Sequence, residues 1–186
     1  QVVGSINKYC TAVGIEAMPN ANLDSSNPSY SLHNSALGYR ALANVSTGYR
    51  NTAIGSQTMQ LNTTGSGNTS MGTFAMLSNT TGSNNVAIGI QALQASTTTG
   101  NLVAIGYRAL YSNTSALGNT AVGSQALELC TTGGENTAIG FNAGKSITTG
   151  AYNTIIGSNA GITQNSGIGT TAVGCSSLRV TTGANN

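Results

Sequence analysis

Charge is the scarcest commodity in this chain. Asp, Glu, Lys and Arg make up 5% of its 186 residues, against about a quarter in an ordinary soluble domain. The formal net charge is +2, which leaves no electrostatic footprint for nucleic acid or an anionic membrane. There is no Trp, there are two Pro (Pro19 and Pro28) and three Cys, and His33 is the single histidine. No Cys/His set has metal-ligand spacing, so no metal or other cofactor is expected. No apolar run approaches the ~18 residues of a membrane-spanning helix. No basic stretch followed by an apolar one opens the chain as a secretory leader would. Leu, Ile, Val and Phe together number only 36, too few for a thick globular core. Disorder is the usual consequence of such a shortage, but it comes with high net charge, which is missing here.

What the chain does contain is repetition. The stretch Asn51 to Gly67, NTAIGSQTMQLNTTGSG, recurs with substitutions but no insertion or deletion from Asn34 to Asn186, as nine units of seventeen residues. Position 5 of the unit is glycine every time: Gly38, Gly55, Gly72, Gly89, Gly106, Gly123, Gly140, Gly157 and Gly174. Position 4 is always aliphatic: Leu37, Ile54, Met71, Ile88, Ile105, Val122, Ile139, Ile156 and Val173. Positions 3 and 8 are mostly Ala, position 9 mostly Leu or Met, position 1 mostly Asn, and positions 13 and 14 mostly Thr-Thr before a Gly. Residues 1–33 are less regular. Cys10 to Met18 matches the first nine positions of the unit, and the segment behind it is seven residues too long. The chain therefore divides into 1–33, irregular N-terminal coil or coils with a loop insertion, and 34–186, a nine-coil solenoid.

A helix does not suit a unit with two or more glycines, each costing ~1 kcal/mol relative to Ala in a helix interior. Short strands do: Thr-Ala-Ile before the glycine and a second around Ala-Leu, with Asn-Thr-Thr-Gly as the turn. The fold class expected is all-β, a parallel β-solenoid of 17-residue coils. The glycine column marks a structural corner or a close backbone approach. Small Ala columns suit a narrow interior, and the aliphatic columns at positions 4 and 9 are expected outside it, against another chain. Ordering a coil costs at least ~17 kcal/mol, while burying two large aliphatics returns ~3–6 kcal/mol. A lone solenoid is thus marginal, and a homotrimer about a common axis is expected, with position 4 as the oligomer core.

Asn-Thr-Ala-Ile-Gly-x-x-Ala-Leu followed by Asn-Thr-Thr-Gly resembles the head repeats of trimeric autotransporter adhesins of the Yersinia adhesin type. It is similar, more closely, to seventeen-residue repeats of phage and bacterial tail-fibre proteins. The resemblance covers Asn34 to Asn186 and, more weakly, Cys10 to Met18. It implies a left-handed β-roll, three chains around one axis, and an extracellular, cell-surface or virion fibre. The adhesin repeat is usually shorter, so the outer turn here should be larger. The function expected is a non-enzymatic structural or adhesive shaft or head. It would attach to a surface or bind a host glycan or protein, with no nucleic acid and no membrane insertion. Two alternatives stand beside it: a filament subunit stacking end to end, and an ice-binding solenoid using its Thr ladders.

Signals for chemistry are weak. Gly140 to Ser146 resembles a phosphate-binding loop but is one residue short, and its glycines belong to repeat columns. Glu128 and Glu135 form a conceivable carboxylate pair, more simply read as solvated. His33 reads as a turn residue, and Cys10, Cys130 and Cys175 as isolated cysteines. Repeated Asn-Thr-Thr creates sequons at Asn44, Asn62, Asn68, Asn79 and Asn113, used only where a glycosylation pathway exists. The candidate receptor surface is Tyr39, Arg40, Tyr49, Arg50, Tyr107, Arg108 and Tyr111, residue types favoured at recognition surfaces. Stem packing over the solenoid is the plainer account of them.

Overall fold

The computed structural model describes residues 9–20, 33–163 and 165–178. Residues 1–8, 21–32, 164 and 179–186 lie outside it, and with them much of the expected loop insertion and the last unit's end.

Ten three-residue strands form one parallel sheet in chain order: β1 (Thr11–Val13), β2 (Ser35–Leu37), β3 (Thr52–Ile54), β4 (Thr69–Met71), β5 (Val86–Ile88), β6 (Val103–Ile105), β7 (Thr120–Val122), β8 (Thr137–Ile139), β9 (Thr154–Ile156) and β10 (Thr171–Val173). Each strand is positions 2 to 4 of its unit, so the chain is a stack of coils, a β-solenoid. Neighbours pair in unbroken register, for example Ala53 with Ala36 and Ile54 with Leu37. The weak match at Cys10 to Met18 is a true coil: Thr11 pairs with Ser35 and Val13 with Leu37. Its strand lies 24 residues before the next, seventeen plus the seven extra.

Alternation along each strand sends position 3 inward and positions 2 and 4 outward. Ala53, Ala87, Ala104 and Ala121 are fully buried, while the residues on either side of them are half-buried. The strand ends at the glycine column because the backbone there takes φ between +121° and +137°, a region closed to residues with a Cβ. The coils also touch at this point. A Cβ on Gly38 would lie 2.4 Å from the Gly55 carbonyl oxygen, and one on Gly106 the same distance from that of Gly123.

Beyond the corner the expected second strand is absent. Positions 7 and 9 adopt left-handed backbone although most are not glycine, as at Gln57 (φ 55°) and Met59 (φ 49°). Coil-to-coil hydrogen bonding continues in a different form. Gln57 N–H donates back to the Tyr39 carbonyl at 2.7 Å, and Met59 N–H forward to Ala75 at 3.0 Å. This geometry overturns the expectation that the Leu/Met column lies outside. Leu42, Met59, Met76, Leu93, Leu110 and Leu127 are all 0% exposed and form the centre of the interior. Only the position 4 column remains half-exposed.

Two columns are buried and polar. At position 1, each Asn uses both ends of its amide. Asn51 Nδ2 donates to the Gly65 carbonyl closing its own coil (2.8 Å), and its Oδ1 accepts from Asn68 N–H of the next (3.0 Å). Cys10 begins this ladder as a sulfur acceptor for Asn34 N–H (3.4 Å). At position 12, Asn62 Nδ2 also donates to Gly65 (3.0 Å), and Cys130 Sγ takes over that role toward Gly133 (3.1 Å). A buried amide left without a partner costs ~1–3 kcal/mol, so these ladders are what allow the interior to be half polar.

Where a unit departs from the repeat, the interior volume is made up nearby. Gly144 and Gly161 replace the large residue at position 9, and Ile147 and Ile155 fill the vacated space from positions 12 and 3. A Cβ on Gly144 would meet Ile147 at 3.0 Å, and one on Gly161 would meet Ile155 at 3.2 Å. Ser70 replaces an interior Ala and pairs its hydroxyl with Thr58 at 2.7 Å. Leu102 replaces the ladder Asn and has no side-chain acceptor to offer the next coil.

Candidate functional site

The sheet has an inner face, which is the core, and an outer face built from positions 2 and 4. The outer position 4 column runs Val13, Leu37, Ile54, Met71, Ile88, Ile105, Val122, Ile139, Ile156, Val173, each on its hydrogen-bonded neighbour. Nine spacings of ~4.8 Å make this a stripe of ~43 Å. Position 2 is Thr or Ser except at Val86 and Val103. Position 6, just past the corner, adds the exposed side chains Ile15, Tyr39, Ile90, Tyr107 and Phe141. No charged residue occupies position 2, 4 or 6 in any of the ten coils.

The ionic groups lie elsewhere, at positions 7, 10 and 17. Glu128 was expected to be solvated, but its side chain is 4% exposed and held by Arg108 at 2.9 Å and Lys145 at 3.2 Å. Gln125 donates to it as well, at 2.9 Å. Glu135 is exposed on another edge of the coil, so the two carboxylates do not share a site. Lys145, the lysine of the phosphate-loop-like stretch, is thereby committed to Glu128. Arg40 bonds to Glu16 of the preceding coil, and this hydrogen bond is the main cause that raises its pKa. Among the described residues, no group of three or more His, Cys, Asp or Glu is arranged to hold a metal ion.

The candidate receptor residues are not gathered into one patch. Arg40 lies over Tyr39 (5.2 Å to the ring centroid), Arg50 over Tyr49 (5.7 Å) and Arg108 over Tyr111 (4.2 Å). Tyr39 and Tyr107 border the apolar face at position 6. Tyr49 and Arg50 sit at positions 16 and 17 on a different edge, and Arg108 and Tyr111 belong to the Glu128 network. His33 stacks on Tyr9, with centroids 4.9 Å apart and planes 7° from parallel.

Position 13 hydroxyls are occupied by the backbone: Thr63 donates to Thr80 O at 3.1 Å and Thr131 to Thr148 O at 3.1 Å. Cys10 and Cys130 are buried and Cys175 is exposed. Burial pushes the Cys130 thiol up to about 11.

Sequence reading identified position 4 but passed over its partners on the outer face, Val86, Val103, Ile90 and Phe141. The signal was present: position 2 shares the parity of position 4, and Val interrupts a Thr column in two adjacent units only. Comparison with family models, with curated proteins and with solved structures gives no match for this chain.

Proposed function

We propose that this chain is a non-enzymatic fibre segment, a rod whose outer sheet face packs against further copies of itself. The observation that carries the reading is the uncharged aliphatic stripe at position 4. It runs the length of the described stack in a chain whose charged groups all lie at other positions. A parallel sheet whose outer face carries an unbroken aliphatic column is normally covered there.

Three copies are the number implied by the likeness to trimeric adhesin and fibre repeats. The left-handed roll, the extracellular fibre setting and the attachment role follow from the likeness to adhesin and tail-fibre repeats. Receptor contact is assigned to the variable outer positions, of which Tyr49 and Arg50 are exposed.

Sedimentation equilibrium over a range of concentrations tests the reading. A trimeric mass supports it, and a monomer at every concentration refutes it.

A further inference from the structure

Ten coils, one per strand, meet at nine joints. At eight of them the position 1 side chain accepts a hydrogen bond from the position 1 N–H of the following coil. The exception is the joint between residues 102–118 and 119–135. Leu102 is fully buried and has no atom to accept with. Asn119 N–H is therefore the one amide of this column without that bond. The position 12 ladder also stops here. Asn79 Nδ2 donates to Asn62 Oδ1 of the coil before it at 2.7 Å. The residue that follows Asn113 in the same column is Cys130, whose thiol donates to the Gly133 carbonyl of its own coil. The inside of this joint is held by apolar contact and by main-chain bonds such as Leu110 N–H to the Ala126 carbonyl, at 3.0 Å. A buried amide without a partner and a missing ladder make it the weakest joint from within.

The same joint carries the buried ion cluster on its outside. Arg108, in the coil before it, reaches Glu128 in the coil after it at 2.9 Å. Lys145 reaches the same carboxylate from one coil further on, at 3.2 Å. Each half of the bridge is held within its own coil, Arg108 over the Tyr111 ring and Glu128 by Gln125. Charge-assisted bonds to a carboxylate this deeply buried are among the strong ones. The first joint shows the same combination of a weak interior and an ion pair outside. There the position 1 acceptor is only the Cys10 sulfur, and Arg40 bonds to Glu16 across the joint. Among the described residues, one of the seven joints with an Asn acceptor is spanned by an ion pair, and that pair, Lys145 with Glu128, belongs to the cluster already named.

We propose that the joint between the Leu102 and Asn119 coils is the opening plane of the rod, and that the Arg108–Glu128 pair is the latch that keeps it closed. Local opening occurs where stabilising contacts are fewest. Without the latch this joint has neither an interior ladder nor an exterior tie. The stack then parts there, between residues 102–118 and 119–135, before the coils on either side unravel. The device lies in the interior and on the ion-bearing side, so it does not depend on what covers the aliphatic face.

Native-state hydrogen exchange on the full chain tests this, amide by amide. Val103, Leu110 and Gln125 donate across the latched joint, and Thr52 and Met59 donate across a joint with an intact ladder. Glu128→Gln should speed exchange at the first three roughly tenfold and leave the other two unchanged. Arg108→Met should do the same. Lys145→Met should have little effect, because Arg108 still holds Glu128 and Asn136 N–H still has its acceptor in Asn119. Leu102→Asn supplies the missing acceptor, and added to Glu128→Gln it should return exchange at the joint toward that of the unmodified chain.

A uniform rise in exchange along the whole stack in Glu128→Gln would overturn the proposal, as would no rise at all. Equal effects of Arg108→Met and Lys145→Met would overturn it too. So would a folded Leu102→Asn, Glu128→Gln chain that exchanges as fast as Glu128→Gln alone. If Leu102→Asn does not fold, the comparison of Arg108→Met with Lys145→Met decides by itself.

Discussion

At the scale of single residues, the glycine at position 5 is fixed twice over, by its backbone angle and by the coil beneath it. Gly106→Ala must accommodate both φ +133° and a Cβ 2.4 Å from Gly123 O, and is expected to cost ~3–5 kcal/mol, the range of severe backbone and packing defects. Gly174→Ala has the same kind of angle, φ +121°, but meets nothing within 4 Å, so only the angular strain of ~1–3 kcal/mol applies. Urea denaturation of the two variants separates these contributions; equal losses would mean that coil contact is unimportant. Cys130 gives a second residue-level expectation. Its thiol titrates near 11 in the folded chain against an ordinary 9.0, so the folded state binds the proton more tightly. Its contribution is fully present below about pH 9 and is lost as pH rises toward 11. At pH 8 a thiol reagent should label Cys175 at once and Cys130 only after unfolding.

At the scale of the coil, interior volume is shared among positions 3, 9 and 12. Gly144→Leu alone overfills the space held by Ile147 and should cost ~1–3 kcal/mol. Ile147→Asn alone leaves a cavity and should cost ~2–5 kcal/mol. Together they restore the arrangement of the Asn62 and Asn79 coils, and the double variant should be more stable than the sum by ~1–3 kcal/mol. Strict additivity in a double-mutant cycle would contradict the account. Asn136→Ala should cost ~2–4 kcal/mol, because it orphans the Asn153 amide and the Gly150 carbonyl together.

This scale is also where reading the sequence succeeded and failed. Thr-Ala-Ile-Gly announces its strand and corner through alternation and an unbroken glycine column, and constant spacing implies stacking in register. The interior place of Met59 was hidden, because it depends on left-handed backbone at Gln57 and Met59, which neither residue type signals. The Asn column was visible as a column, yet its purpose depends on the Gly65 carbonyl fourteen residues on and an amide in the next coil. The burial of Glu128 depends on Arg108 and Lys145 in the neighbouring coils, and no local pattern points to them.

At the scale of the whole molecule, the stack has a polar, ion-bearing exterior and one uncharged aliphatic face, and the central claim is that copies of the chain bury that face. The most direct measurement is the mass in solution by sedimentation equilibrium, taken at low and high salt. With no charge on the face, the account predicts a mass near three times 18.6 kDa that does not fall as salt rises. A species of 18.6 kDa at all concentrations, or an oligomer that dissociates in high salt, would contradict it.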